Sequence, residues 1–97
     1  MNHCPDPHAR LIRALADSAA RHGVTIRRRE LHERPWSSAT FTGHRLTILV
    51  TVAGAASAAW LAALPEEDLP VPGRIVADLA VRDHGDATLL EVLLLEA

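Results

Sequence analysis

The C-terminal segment Thr88 to Glu96 is apolar on both sides of any extended chain drawn through it. Leu90, Val92 and Leu94 fall on one face at a period of two, and Leu89, Leu93 and Leu95 share the other with Glu91. Such a strand has to be covered twice. Helices in a two-layer fold cover one face of a sheet, so the other face requires a second cover. A two-fold partner is the simplest cover, and the proline-rich stretch of residues 65–73 laid across the open face is the other. The chain is therefore expected to be a homo-oligomer, in the first instance a homodimer.

The rest of the chain supplies the helices. Leu11, Ile12, Leu15, Ala16, Ala19 and Ala20 recur at helical spacing, and His22-Gly23 follows as a C-terminal stop. Asp6-Pro7 reads as a start, with Asp as cap and Pro at the first helical position. This predicts a helix over residues 7–22, preceded by a flexible tail, residues 1–6. A second helix is predicted over Gly54 to Leu64, with Ala56, Trp60, Leu61 and Leu64 as its apolar stripe and Pro65 as its end.

Five strands are predicted around these helices. Val24 to Arg34 is the first; its alternation fails midway, which calls for a bulge or an exposed far half. Pro35 is taken to end it, because proline donates nothing to a ladder. Trp36 to Thr42 is the second, Thr42-Gly43-His44-Arg45 a turn, and Leu46 to Val52 the third. Arg74 to Asp83 and Thr88 to Glu96 form a closing hairpin about Asp83-His84-Gly85-Asp86. On the fourth strand Ile75, Ala77, Leu79 and Val81 are assigned one face, and Val76, Asp78, Ala80 and Arg82 the other. The expected architecture is a single α+β domain, residues 7–97. It is a two-layer sandwich of order α-β-β-β-α-β-β, with a mostly antiparallel five-stranded sheet and both helices on one face. A ferredoxin-like arrangement, with one strand fewer, is the alternative.

Composition narrows the chemistry. A net charge of −2 gives no global pull toward nucleic acid or anionic lipid. All ten basic residues are Arg, and Lys, Tyr and Gln are absent, as the codon usage of a GC-rich genome produces. Without Lys there is no Schiff base and no phosphate-loop lysine. Cys4 is the single cysteine, so no disulfide forms within one chain. The first residues lack the apolar stretch of a signal peptide, and the run Leu46 to Leu64 is broken by Thr47, Thr51, Gly54 and Ser57. The expected location is the cytoplasm, away from membranes.

Residues 27–43 stand apart from this scaffold. They hold four of the ten arginines, Trp36 and the only Phe. Arg27, Arg29, His32, Arg34 and Trp36 are the expected ligand-binding set, with Arg as anion anchor and Trp as apolar platform. Single-stranded nucleic acid is one reading of that mixture, but Glu30 and Glu33 interrupt the positive charge and successive arginines on a strand alternate faces. A hydrolase assembled from Ser38, His32 and Asp78, with its active site at a subunit interface, is another; no Gly-x-Ser-x-Gly elbow supports it. His3, Cys4 and His8 are the nearest approach to a metal-ligand cluster, with no second cluster to complete it, so neither metal nor cofactor is expected. The favoured reading is a small accessory protein that binds a protein or a small anionic ligand through residues 27–43, and an enzyme is the less favoured one.

Overall fold

The computed structural model describes residues 7–96. The predicted tail, with its Asp6 cap, and the ligand candidates His3 and Cys4 lie outside the described residues. Helix α1 (Pro7–Arg21) ends where expected, with Gly23 at φ 71° and its N–H donating to the Ala20 carbonyl at 3.0 Å. Strands β1 (Thr25–Ser37) and β2 (Thr42–Ala53) follow, then α2 (Ser57–Ala63) running into a 3-10 turn at Leu64–Glu66. Strands β3 (Arg74–His84) and β4 (Ala87–Glu96) close the chain.

The sheet has four strands, not five, in the order β1-β2-β4-β3 and antiparallel throughout. The strand predicted over Trp36 to Thr42 does not form: Trp36 and Ser37 continue β1 past Pro35, and Thr42 begins β2. An edge strand tolerates a residue without a donor, and Pro35 lies on edge strand β1 opposite His44. The turn sits earlier than expected, at residues 38–41. There the Ser38 N–H donates to the Phe41 carbonyl at 2.8 Å, and the Ser38 hydroxyl accepts from the Phe41 and Thr40 N–H groups. The element order α-β-β-α-β-β is also not ferredoxin-like: the central strand beside β2 comes from the C-terminal segment, not from a strand before α1.

Gly43 was read as a turn residue and lies in β2, facing Trp36 on one side and Leu95 on the other. A Cβ there would run into the Leu94 carbonyl oxygen and stand 2.9 Å from Leu95 Cα. Glycine therefore lets β2 and β4 approach closely at the end of their ladder.

One sheet face meets the helices. Leu46, Ile48 and Val50 of β2 and Leu90, Val92 and Leu94 of β4 are buried there with Leu11, Leu15 and Ala19 of α1, Trp60 of α2, and Leu64. Each large side chain removed from water contributes about 1.5–3 kcal/mol. One polar group sits in this layer. Ser18, fully buried on α1, accepts the Trp60 indole N–H at 2.9 Å and donates to Glu67, whose carboxylate also takes Arg21 at 3.1 Å. That network joins both helices to the segment after α2 and leaves no buried donor of Trp60 unmet. Among the described residues, no helix is long and apolar enough to cross a membrane.

Gly43→Ala is expected to destabilise the protein by about 2–3 kcal/mol, through overpacking against the β4 backbone. The loss is read from the urea midpoint at unchanged slope.

Candidate functional site

Two bulges decide which side chains share the helix-free face. The β1–β2 register shifts between Arg28 and Glu30, leaving Arg29 as the extra residue. Before it, Ile26 and Arg28 stand opposite Val52 and Val50; after it, Leu31 and Glu33 stand opposite Ile48 and Leu46. The open face of β1 therefore carries Arg27, Glu30, His32, Arg34 and Trp36. The bulge foreseen from the broken alternation is what places Arg27 on the same side as His32, Arg34 and Trp36. A second shift, between Val76 and Asp78 on β3, corrects the assigned faces there. Val76 joins Leu79 and Val81 on the helix side, and Ile75 joins Asp78, Ala80 and Arg82 on the open side.

Read across β1-β2-β4-β3, the open face is a set of rows. Trp36, Gly43, Leu95 and Ile75 form one; Arg34, Arg45, Leu93 and Asp78 the next; then His32, Thr47, Glu91 and Ala80; then Glu30, Leu49, Leu89 and Arg82. Ile75 is 50% exposed and Phe41, in the adjoining turn, 51%. Leu49, Leu89, Leu93 and Trp36 are half-buried by their neighbours. The middle rows hold a shallow depression of about 330 Å³, lined by Arg34, Arg45, Asp78, Arg82 and Glu91 among others.

The charges of this face are unequally committed. Arg82 Nε donates to Glu91 Oε1 at 2.5 Å, and that carboxylate holds the Arg82 pKa above its usual value. Arg29 lies 3.8 Å from Asp86 in the β3–β4 turn, and His32 lies 3.8 Å from Glu30; these contacts are long and solvent-exposed. Among the described residues, Arg34, Arg45, Arg27 and Asp78 make no ion pair or hydrogen bond through their side chains. Arg34 and Arg45 are direct cross-strand neighbours, an arrangement that repels unless something negative meets it.

Of the expected set, Arg27, His32, Arg34 and Trp36 share the open face, while Arg29 is spent on the bulge and on Asp86. Arg45 was missed because its segment was taken for a turn. The hydrolytic trio does not assemble. His32 lies on β1, Asp78 three strands away at about 14 Å of strand spacing, and Ser38 in the turn about 20 Å along the strand from His32. Ser38 is occupied in closing that turn.

A second cluster escaped the sequence reading. His8 of α1 and His44 of β2 each place Nε2 3.1 Å from one oxygen of Glu33, and their rings meet edge-on at 6.4 Å. These side chains lie on the helix side of the sheet and are 20–27% exposed. No grouping of His, Cys, Asp and Glu among the described residues is arranged to hold a metal ion. The cluster ties the first turn of α1 to the β1–β2 edge. A hollow of about 440 Å³ between α1 and the loop at Pro70 and Pro72 is arginine-lined, but Arg10 is bound to the Pro72 carbonyl and Arg21 to Glu67, so those groups hold the loop down.

Compared with known proteins, the chain matches no family model, no curated protein and no solved structure. Function has to be argued from the open face itself.

The two tryptophans separate face from core. Trp60→Ala is expected to cost about 3–5 kcal/mol, whereas Trp36→Ala costs about 1–2 kcal/mol and leaves the chain folded. Thermal melts followed by circular dichroism distinguish the two; equal losses would make Trp36 a core residue.

Proposed function

We propose that this protein is a small protein-binding module that works through the helix-free face of its sheet. The observation that carries the reading is the composition of that face. Leu49, Leu89, Leu93, Trp36 and Ile75 run through it in rows, with charged residues of both signs set among them, and no element among the described residues covers it. Aromatic and Arg side chains set among aliphatic ones are what protein interfaces concentrate.

The alternatives fit less well. A nucleic-acid surface needs a continuous positive track, and Arg34 and Arg45 share their depression with Asp78 and Glu91. A hydrolase lacks its assembled trio. A small anion is favoured by one specific observation, the unpaired neighbours Arg34 and Arg45, and it would occupy the same depression.

Photo-crosslinking in cells tests the reading. A benzoylphenylalanine placed at Ile75 or Arg34 is expected to give protein adducts, and one placed at exposed Ala16 on α1 to give none. Equal yield from both faces, or adducts to nucleic acid alone, would overturn it. Saturable quenching of Trp36 by inorganic phosphate, in a Trp60→Phe background, would move the assignment to the anion.

A further inference from the structure

We infer that the protein covering the open face is a second copy of this chain, docked face to face about a two-fold axis parallel to the strands. The inference rests on the open-face reading and names the occupant.

The argument is one of symmetry and charge. A two-fold axis lying between two stacked sheets and running along the strands reverses left and right across the face. It carries no translation along itself. With the strand order β1-β2-β4-β3, it therefore sets β1 over β3 of the second copy and β2 over β4, with every row facing its own equivalent. Arg34 then meets Asp78 of the second copy, and Glu30 meets Arg82. Trp36 lies over the exposed Ile75, and Leu49 over Leu89. With the axis centred between β2 and β4, these matches follow from the register. Each contact occurs twice, because the interface is isologous.

The same operation resolves what is unresolved in one chain. Among the described residues Arg34 and Asp78 have no side-chain partner and sit on one row, yet they are three strands apart, about 14 Å, too far to pair within a subunit. Across the two-fold they become neighbours. Stacked sheets usually cross at about 30°, which displaces these rows by roughly 3–4 Å, within the reach of an arginine side chain. Four strands at about 4.8 Å spacing and a common ladder of about eight residues give a flat area of about 500 Å² per copy, before side-chain relief is counted. About 1,000 Å² in total is the lower end of a stable interface.

The test is charge reversal with rescue, read by sedimentation velocity on the untagged full chain. The wild type is expected at twice 10.5 kDa. Arg34→Asp and Asp78→Arg should each raise the dissociation constant by at least about tenfold, and the double variant should restore the dimer. Restoration cannot arise within one subunit at that separation. Ile75→Asp, a change at a half-exposed site, should also give monomer with an unchanged thermal melt. A dimer indifferent to all four variants would use another surface, and the inference would fall. A wild-type monomer would also overturn it. If Ile75 then crosslinks a different protein, the open-face reading survives; if it crosslinks nothing, both fall together.

Discussion

Side chains alternate along a strand, so one extra residue inverts everything beyond it. Much of this molecule follows from that parity. On β1 the extra residue is Arg29; on β3 it is Ala77. Without the first, Leu31 would point to solvent and Arg34 toward the helices. Without the second, Val76 and Leu79 would lie on opposite faces. The central strands β2 and β4 pair without a shift, because Leu46, Ile48 and Val50 and Leu90, Val92 and Leu94 already alternate without error against the helices. The edge strands are fitted to that fixed core, and Arg27, Glu30, His32 and Arg34 of β1 and Asp78 and Arg82 of β3 come onto the open face as a consequence.

This division explains which parts were legible in the sequence. The periodicity of α1 is local, as is the β3–β4 hairpin, and both stand nearly as expected. The two-faced apolar character of Thr88 to Glu96 marked a strand, and it became the inner strand β4. The broken alternation of Val24 to Arg34 signalled a bulge, but its position depends on which residue of β2 stands opposite Arg28, a contact between distant segments. The extra strand arose at Pro35 and Gly43. Proline reads as a strand end and glycine as a turn, and each has a different cause here. Pro35 is accepted because β1 is an edge, and Gly43 is required by the Leu94 backbone. Neither fact exists until the sheet is assembled. The same error hid Arg45, and with it the pairing that makes Arg34 conspicuous.

Ten arginines with no lysine look like a uniform background, but the fold gives them different tasks. Arg10 and Arg21 hold the loop after α2, Arg82 is bound to Glu91, and Arg29 reaches Asp86. Arg34 and Arg45 are left side by side.

Sheets associate either by their edges or by their faces, and this sheet has blunted its edges. β1 carries a bulge, Pro35 and three consecutive arginines, with Arg28 and Glu33 directed to the helix side. β3 carries its own bulge and the charged residues Asp78, Arg82 and Asp83. These are the devices by which proteins prevent strand addition. The helix-free face differs: its middle rows mix Leu93, Thr47 and Ala80 with Arg45 and Glu91, and its end rows carry Trp36, Ile75, Leu49 and Leu89. Blunted edges leave that face as the surface open to association. Its charge, with Arg34 on β1 and Asp78 on β3 in one row, is the one that a two-fold along the strands makes complementary to itself.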